Sequence, residues 1–576
     1  MKLIRVIGKP LQEIVFFLIC LVCIVAPTIN YLLLLYTDIS LDVLFVIYIS
    51  IAVTISYLLT SIVYLTKKHV IVKFLLYFFV LSLLAIYLFL KISFSTNISP
   101  LLITMIAETN QQESYEFTVN YIFSRTTLIS LLITSLLIII AWIGERRNIK
   151  IKSSLQQVIS ILVLCCMVVA FYNLRIVKFL TDCKSMSDVN TWYDRYYPYA
   201  MDNISILMYS LYIPHITSSE IEQAILQTEK ATKEKAEISI NDSLNVVFVI
   251  GESYIKYHAH LYGYPLPTTP YMDKEHNNGN LYVFQNIISP YNTTTQAMKT
   301  ILSTNSIADG ESWNEGIYFP AVFKNAGYNV YLWDNQKTLG TFLIYTYTVN
   351  SLMYSKRIQE LSYTDINDCT YQYDEQLIDS FLKKEKTGKY RFIIFHLMGQ
   401  HVMASERYPS MFNRFKSKDI LRKERYLDDR KKQLIAEYDN ATLYNDYVMG
   451  KLFNQYRNDN AVIVMTSDHG EEIYDFRDAK GRNLDFEKNK NVIKYQNDIP
   501  FVIWCSDKYK QKYPDIIKDI ENATDRKGMS DNVCQLLFKI AHIHTTIYKS
   551  NKDISSPNYQ QTKRIVYDSY DYDAKE

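Results

Sequence analysis

Apolar and polar positions divide the chain into two unlike parts. Roughly the first 175 residues carry long, nearly charge-free apolar runs: Ile14 to Thr37, Val43 to Thr66, Phe74 to Leu90, Thr126 to Gly144 and Ser153 to Leu174. Spanning a bilayer core takes ~20 apolar residues, so these runs predict five transmembrane helices. The third is the shortest, but Ile92 and Phe94 lengthen it while Lys91 snorkels to the surface. Lys2 and Arg5 also suit a signal peptide, yet the first apolar stretch is too long and no clear cleavage site follows. Beyond the spans the pattern changes. Short apolar runs, Leu244 to Ile250, Asn329 to Trp333, Arg391 to Leu397, Ala461 to Thr466 and Ile499 to Trp504, alternate with helical stretches. Such a pattern predicts an α/β domain with a largely parallel sheet covered by helices on both faces.

The expected organisation is a five-helix membrane domain over residues 1–175, interfacial helices and a linker over 176–240, and a catalytic domain over 241–576. Trp192, Tyr193, Tyr196, Tyr197 and Tyr199 suit short helices lying along the membrane surface. A charged helix is expected from Ser219 to Glu237, and an external loop with an amphipathic middle over 92–125.

Charge sets the orientation. Lys2, Arg5 and Lys9 precede the first span; Lys67, Lys68 and Lys73 lie between the second and third; Arg146, Arg147, Lys150 and Lys152 lie between the fourth and fifth. The loop between the first two spans offers only Asp38 and Asp42. Basic residues in short loops mark the cytoplasmic side. An odd number of spans then puts everything after Leu174 outside, in the periplasm if the membrane is a bacterial inner membrane. With 61 basic and 59 acidic residues, the chain has no nucleic-acid footprint. Of its 8 cysteines, Cys20, Cys23, Cys165 and Cys166 fall in the spans. Cys183, Cys369, Cys505 and Cys534 fall in the exported part, where disulfides are permitted but their pairing stays open. Cys505 closes an apolar run and suits simple burial.

Candidate chemistry gathers at strand ends, where ligands bind in such folds. The first strand runs into Gly251-Glu252-Ser253, and another into Ser467-Asp468-His469-Gly470-Glu471. Two carboxylates and an imidazole suit Zn²⁺. Between them, Ser289-Pro290-Tyr291-Asn292-Thr293-Thr294-Thr295 forms a polar turn entering a helix. A hydroxyl there sits among N–H groups that favour phosphate and becomes a nucleophile beside a metal. The plainer reading is that at least one threonine caps the helix.

These residues carry a resemblance. Gly251-Glu252-Ser253, Tyr257-His258, Leu261-Tyr262-Gly263-Tyr264 and Thr268-Thr269-Pro270 resemble the opening motif of bacterial phosphoethanolamine transferases, in the sulfatase-like branch of the alkaline phosphatase superfamily. The Ser289 to Thr295 segment resembles their nucleophile motif, and Met465 to Glu472 their zinc motif. Tyr438-Asp439-Asn440, Tyr444 and Asp446-Tyr447 are similar to their helix before that strand. The resemblance implies zinc held by Glu252, Asp468 and His469, with Thr294 as fourth ligand and nucleophile. It implies phosphatidylethanolamine as donor, diacylglycerol as leaving group, and a lipopolysaccharide (lipid A or core sugar) or other envelope glycan as acceptor. The bilayer is itself a partner, since both substrates are lipids.

By the resemblance, His401 matches a histidine near the transferred phosphate; it suits either a catalytic general base titrating near working pH, for an acceptor hydroxyl, or a structural hydrogen bond, whereas His396 suits a structural role. Thr109 and Glu113, beside Glu108 and Asn110, share a helix face that suits the donor's ammonium or plain solvent. Asp334-Asn335-Gln336 suits either the pocket, with Asn335 toward substrate, or an ordinary turn. Two departures stand out. Pro290 and Thr300 occupy places where the lipid A enzymes often carry a flanking disulfide, and Leu484 lies near where a further histidine belongs. The first points away from the lipid A enzymes and toward the branch acting on core sugars or other glycans; the second argues against a second metal or a histidine-assisted leaving group. A sulfatase activity is disfavoured, because no Cys- or Ser-x-Pro-x-Arg motif is present. A phosphoglycerol transferase of the same layout, or a non-catalytic relative, are the competing readings.

Overall fold

A computed structural model of the protein describes residues 2–26, 42–66, 69–94, 98, 118–122, 124–172, 182–185, 188, 203–337, 349–482 and 489–574. It separates into two compact units, Met1–Thr217 and Ser218–Glu576. Thr109, Glu113, Leu484 and the tyrosine cluster from Trp192 to Tyr199 lie outside the described residues.

In the first unit all five apolar runs form helices long enough to span a membrane. They are α1 (Ile14–Val25, extended at its start by a short helix and a 3₁₀ turn), α2 (Asp42–Leu65), α3 (Val70–Phe94), α4 (Arg125–Arg146) and α5 (Ser153–Tyr172). Phe16, Cys20, Cys23 and Ile24 pack with Ala52, Val80 and Leu84 to form the helix contacts. Phe74, Leu132 and Phe171 remain exposed, which water penalises and lipid accommodates. Polar groups join three of the helices: Lys73 Nζ donates to Glu13 at 2.6 Å and to Glu145 at 2.7 Å.

Helix α6 (Asn203–Ala231) leads into the second unit. The charged helix ends at Ala231 and not at Glu237. Ala236–Ile238 is instead a strand paired antiparallel with Ile543–Thr545, and such pairing with distant chain outweighs local helical preference.

The second unit is built on one sheet of seven strands. In chain order these are β1 (Leu244–Gly251), β2 (Leu281–Val283), β3 (Asn329–Asp334), β4 (Asp365–Ile366), β5 (Tyr390–His396), β6 (Ala461–Ser467) and β7 (Phe501–Cys505). Their spatial order is β2-β7-β6-β1-β5-β3-β4. β1 is central and buried along its whole length, which is why it reads as a continuous apolar run. Val246, Phe248 and Ile250 face one core, and Val247 and Val249 face the other. The strands from β6 to β4 are parallel, but β7 runs antiparallel to both β6 and β2. The sheet is therefore mostly parallel, as expected, with one reversed strand. Helix α7 (Thr294–Ile301) carries the threonine motif, and α8 (Asp429–Tyr456) precedes β6. Among the described residues no disulfide forms, and Cys505 is core.

Candidate active site

Strand register assembles the site. Ile250 of β1 pairs with His396 of β5 and with Thr466 of β6, so the three strands stop at one level. Glu252 leaves β1 there and Asp468 and His469 leave β6, all of them at 0% exposure. One ligand atom from each lies within 4.8 Å of the others. Thr294, the first residue of α7, brings its hydroxyl to the same point. It donates to Glu252 Oε2 at 3.0 Å and lies 3.3 Å from His469 Nε2. That nitrogen is 3.4 Å from Glu252 Oε1 and 3.0 Å from Asp468 Oδ2. Donor atoms tetrahedrally bound to one ion at ~2.0–2.1 Å stand ~3.3 Å apart, so these four residues fit zinc.

The atoms are also held in ligand-ready states. Asp468 Oδ1 accepts from the backbone N–H of Ser253 at 3.1 Å and of His469 at 2.7 Å. Its Oδ2 is buried with no hydrogen bond, and burial raises the carboxyl pKa. An arriving cation relieves that cost. His469 Nδ1 donates to the Gly470 carbonyl at 2.8 Å, which leaves the Nε2 lone pair toward the cluster. Burial first, and the charge of Arg482 second, push its pKa down to about 3, so the ring is neutral.

The backbone of Glu252 is pinned from β5. The Gln400 N–H donates to the Glu252 carbonyl at 3.0 Å, and Gly399 makes the turn at φ +49°. A Cβ on Gly399 would lie 2.8 Å from both Glu252 N and Glu252 O. Gly399→Ala should therefore strain the loop by roughly 1–3 kcal/mol and displace the ligand. Zinc titration should register a weakened site, whereas unchanged affinity would mean that Glu252 is held by other contacts.

The segment leading into Thr294 is braced from the C-terminal part of the chain. β8 (Ile565–Val566) and β9 (Tyr570–Asp571) form a hairpin whose Tyr567 N–H donates to the Pro290 carbonyl at 3.0 Å. Tyr567 OH donates to Asn497 Oδ1 at 2.5 Å, and Asn497 Nδ2 donates to the Ser289 carbonyl at 2.9 Å. Tyr291 OH donates to Asp568. This hairpin ties down Ser289 to Tyr291, directly or through Asn497. The expected threonine cap does not form: Thr293 takes the N-cap position with no side-chain cap bond.

Other candidates divide. Asn335 is occupied on both sides, by the Tyr371 N–H at 2.6 Å and by Asp374 at 2.8 Å. Its neighbour Gln336 reaches the cluster instead, donating to Glu252 Oε2 at 3.1 Å. Both residues lie in the turn after Asp334, and that turn sends one side chain toward Asp374 and the other toward Glu252. His401 is half-buried near the cluster, and desolvation of its ring lowers its pKa to about 3, below the working range. It is a neutral acceptor. His396 takes Asp334 at 2.9 Å, and although burial opposes its charge, that carboxylate raises its pKa. Sequence reasoning missed Arg482, whose Nη1 donates to His469 Nε2 at 2.7 Å. The signal was a cation inside the stretch searched only for a histidine.

The sulfatase family model matches residues 244–535. Phosphoethanolamine transferase EptC of Escherichia coli is 29% identical over 341 residues, which is 57% of this chain and 56% of that protein. The chain thus spans about half the length of that relative. The crystal structure of the C-terminal periplasmic domain of the E. coli EptC in complex with Zn is 26% identical, with a TM-score of 0.50, covering 59% of this chain and 96% of that one. The integral membrane lipooligosaccharide phosphoethanolamine transferase A of Neisseria meningitidis shares the fold across 95% of this chain and 97% of its own, with a TM-score of 0.59 at 16% identity.

Proposed function

Because the chain belongs to the sulfatase family and its relatives are phosphoethanolamine transferases, we propose that it transfers phosphoethanolamine from phosphatidylethanolamine to an envelope glycolipid. The acceptor class is lipopolysaccharide, at lipid A or a core sugar, or another envelope glycan. The carrying observation is the Thr294 hydroxyl inside the cluster of Glu252, Asp468 and His469. A family name of sulfatase does not set the reaction, because chemistry resides in the site and not in the fold.

Thr294 Oγ1 attacks the phosphorus of the donor. An O–P bond forms, the P–O bond to diacylglycerol breaks, and the proton released by threonine is matched by one gained on the glycerol oxygen. In the second half an acceptor oxygen attacks the phosphothreonine, the threonine O–P bond breaks, and Thr294 regains a proton given up by the acceptor. Zinc held by Glu252, Asp468, His469 and Thr294 supplies Lewis-acid charge and lowers the hydroxyl's pKa. Glu252 Oε2 orients the hydroxyl through its 3.0 Å bond, and Gln336 steadies that carboxylate from the other side at 3.1 Å. His401, neutral at pH 7, positions an incoming hydroxyl by accepting its hydrogen bond.

The five spanning helices support placement in the bacterial inner membrane, and the relatives' periplasmic domains support a catalytic domain in the periplasm. Glycolipids from cells with and without the protein should differ by phosphoethanolamine groups, read by mass spectrometry. Consumption of phosphatidylglycerol with no phosphoethanolamine added would overturn the reading in favour of phosphoglycerol transfer.

A further inference from the structure

Arg482 ends the short strand segment Lys480–Gly481 that returns from the ligand loop, and its side chain is only 9% exposed. Its guanidinium is held at two points. Nε lies 3.3 Å from Glu471 Oε2, a buried oxygen that makes no hydrogen bond. Nη1 donates to the Asn292 carbonyl at 3.3 Å and to His469 Nε2 at 2.7 Å. The last contact cannot coexist with metal ligation, because both use the one lone pair on Nε2. When zinc takes that lone pair, the Nη end must turn away while Nε stays paired with Glu471. The Thr294 hydroxyl lies 3.3 Å from the same nitrogen, so Arg482 Nη1 and the Thr294 hydroxyl meet at one ring atom.

We propose that Arg482 is a catalytic residue that takes the non-bridging oxygens of the transferring phosphoryl group in both half-reactions. The inference rests on the transfer reading above. Three observations point to it. Arg482 is anchored by a buried acid two residues from His469, and that anchor aims the fork into the site. Its Nη1 reaches His469 Nε2 at 2.7 Å, the nitrogen that the Thr294 hydroxyl also approaches. Arg407, the other guanidinium acting on His401, is engaged by the Val402 carbonyl at 2.8 Å. A planar, permanently charged fork matches phosphoryl oxygens bidentately, and its charge does not vary with pH. Bond changes are those already given: Arg482 accepts and donates no proton overall.

The test uses full-length, zinc-loaded protein, with Arg482→Met and Arg482→Lys compared with wild type. Three quantities are read: zinc affinity against a competing chelator, binding of inorganic phosphate by calorimetry, and kcat and KM for diacylglycerol release from phosphatidylethanolamine. Arg482→Met should lower kcat on the order of 100-fold, the usual effect of removing one charge-stabilising donor. It should weaken phosphate binding while leaving zinc affinity equal or tighter, since a competitor for Nε2 is gone. Arg482→Lys should recover part of the kcat, and it carries the comparison alone if the Met variant does not fold. Unchanged phosphate binding and kcat in either variant would overturn the proposal. Loss of zinc together with activity would also overturn it, by making Arg482 a support of the metal site. Should wild type release no diacylglycerol, the transfer reading fails, and the phosphate and zinc measurements still decide the role of Arg482.

Discussion

Thr294→Ala should leave phosphoethanolamine transfer undetectable, a loss on the order of 10⁴-fold or more, as expected when a nucleophile is removed. Its hydroxyl is the one in its motif that meets Glu252 and His469, at 3.0 and 3.3 Å. Thr293 forms no side-chain cap bond. Thr293→Ala should therefore cost less than the ~1 kcal/mol typical of a lost cap and keep substantial activity. Thr295→Ala should likewise stay active. Incubation with phosphatidylethanolamine and digestion should yield a peptide carrying phosphoethanolamine at Thr294. Modification of a neighbouring threonine, or full activity in Thr294→Ala, would refute the assignment.

The second large effect concerns the metal. Asp468→Asn keeps the shape of the side chain but reverses its chemistry. Oδ1 accepts from two backbone N–H groups, so the amide oxygen must take that place. The amide nitrogen, a donor, then faces His469 Nε2, which Asp468 Oδ2 approaches to 3.0 Å. A donor cannot ligate. Zinc affinity should fall by more than the ~10–100-fold seen when only supporting groups change. Stability should change in opposite senses with and without metal. Zinc at ~1,000 times its Kd stabilises wild type by about 4 kcal/mol, and that gain should disappear in the variant. Metal-free Asp468→Asn should be at least as stable as metal-free wild type, because burial opposes the native carboxylate. His469→Ala should also lose zinc and activity. Thermal melts with and without zinc, paired with metal analysis, read these effects. A variant that still gains stability from zinc and still transfers would refute the ligand set.

Much of this protein was open to reading before any coordinates. The gathering of Glu252, Asp468 and His469 was legible because they sit directly after apolar runs that become strands, as Glu252 follows β1 and Asp468 follows β6. Thr294 was singled out among three threonines from the resemblance, and at the start of α7 its hydroxyl lies beside Glu252 and His469. His401 was placed near the cluster correctly, but its pKa was not, because desolvation depends on everything packed around it. Asn335 was singled out where Gln336 does the reaching, since only the path of the chain after β3 tells which of two neighbours turns inward.

The sequence by itself determined the five spanning helices, the mostly parallel sheet and the residue types at the site. Those features follow from local patterns: unbroken apolar length for a span, apolar runs bounded by polar turns for a buried strand, and metal-ligating residues where such runs end. The tertiary structure alone decided features that join distant parts of the chain. Ala236–Ile238 is a strand because it pairs with Ile543–Thr545. β7 lies between β6 and β2 and runs antiparallel to both, a pairing made with distant parts of the chain. The Tyr567 hairpin braces Pro290, and Arg482 meets His469 beside Asn292. Such contacts depend on which surfaces remain after the two cores have packed, and no local pattern carries that information.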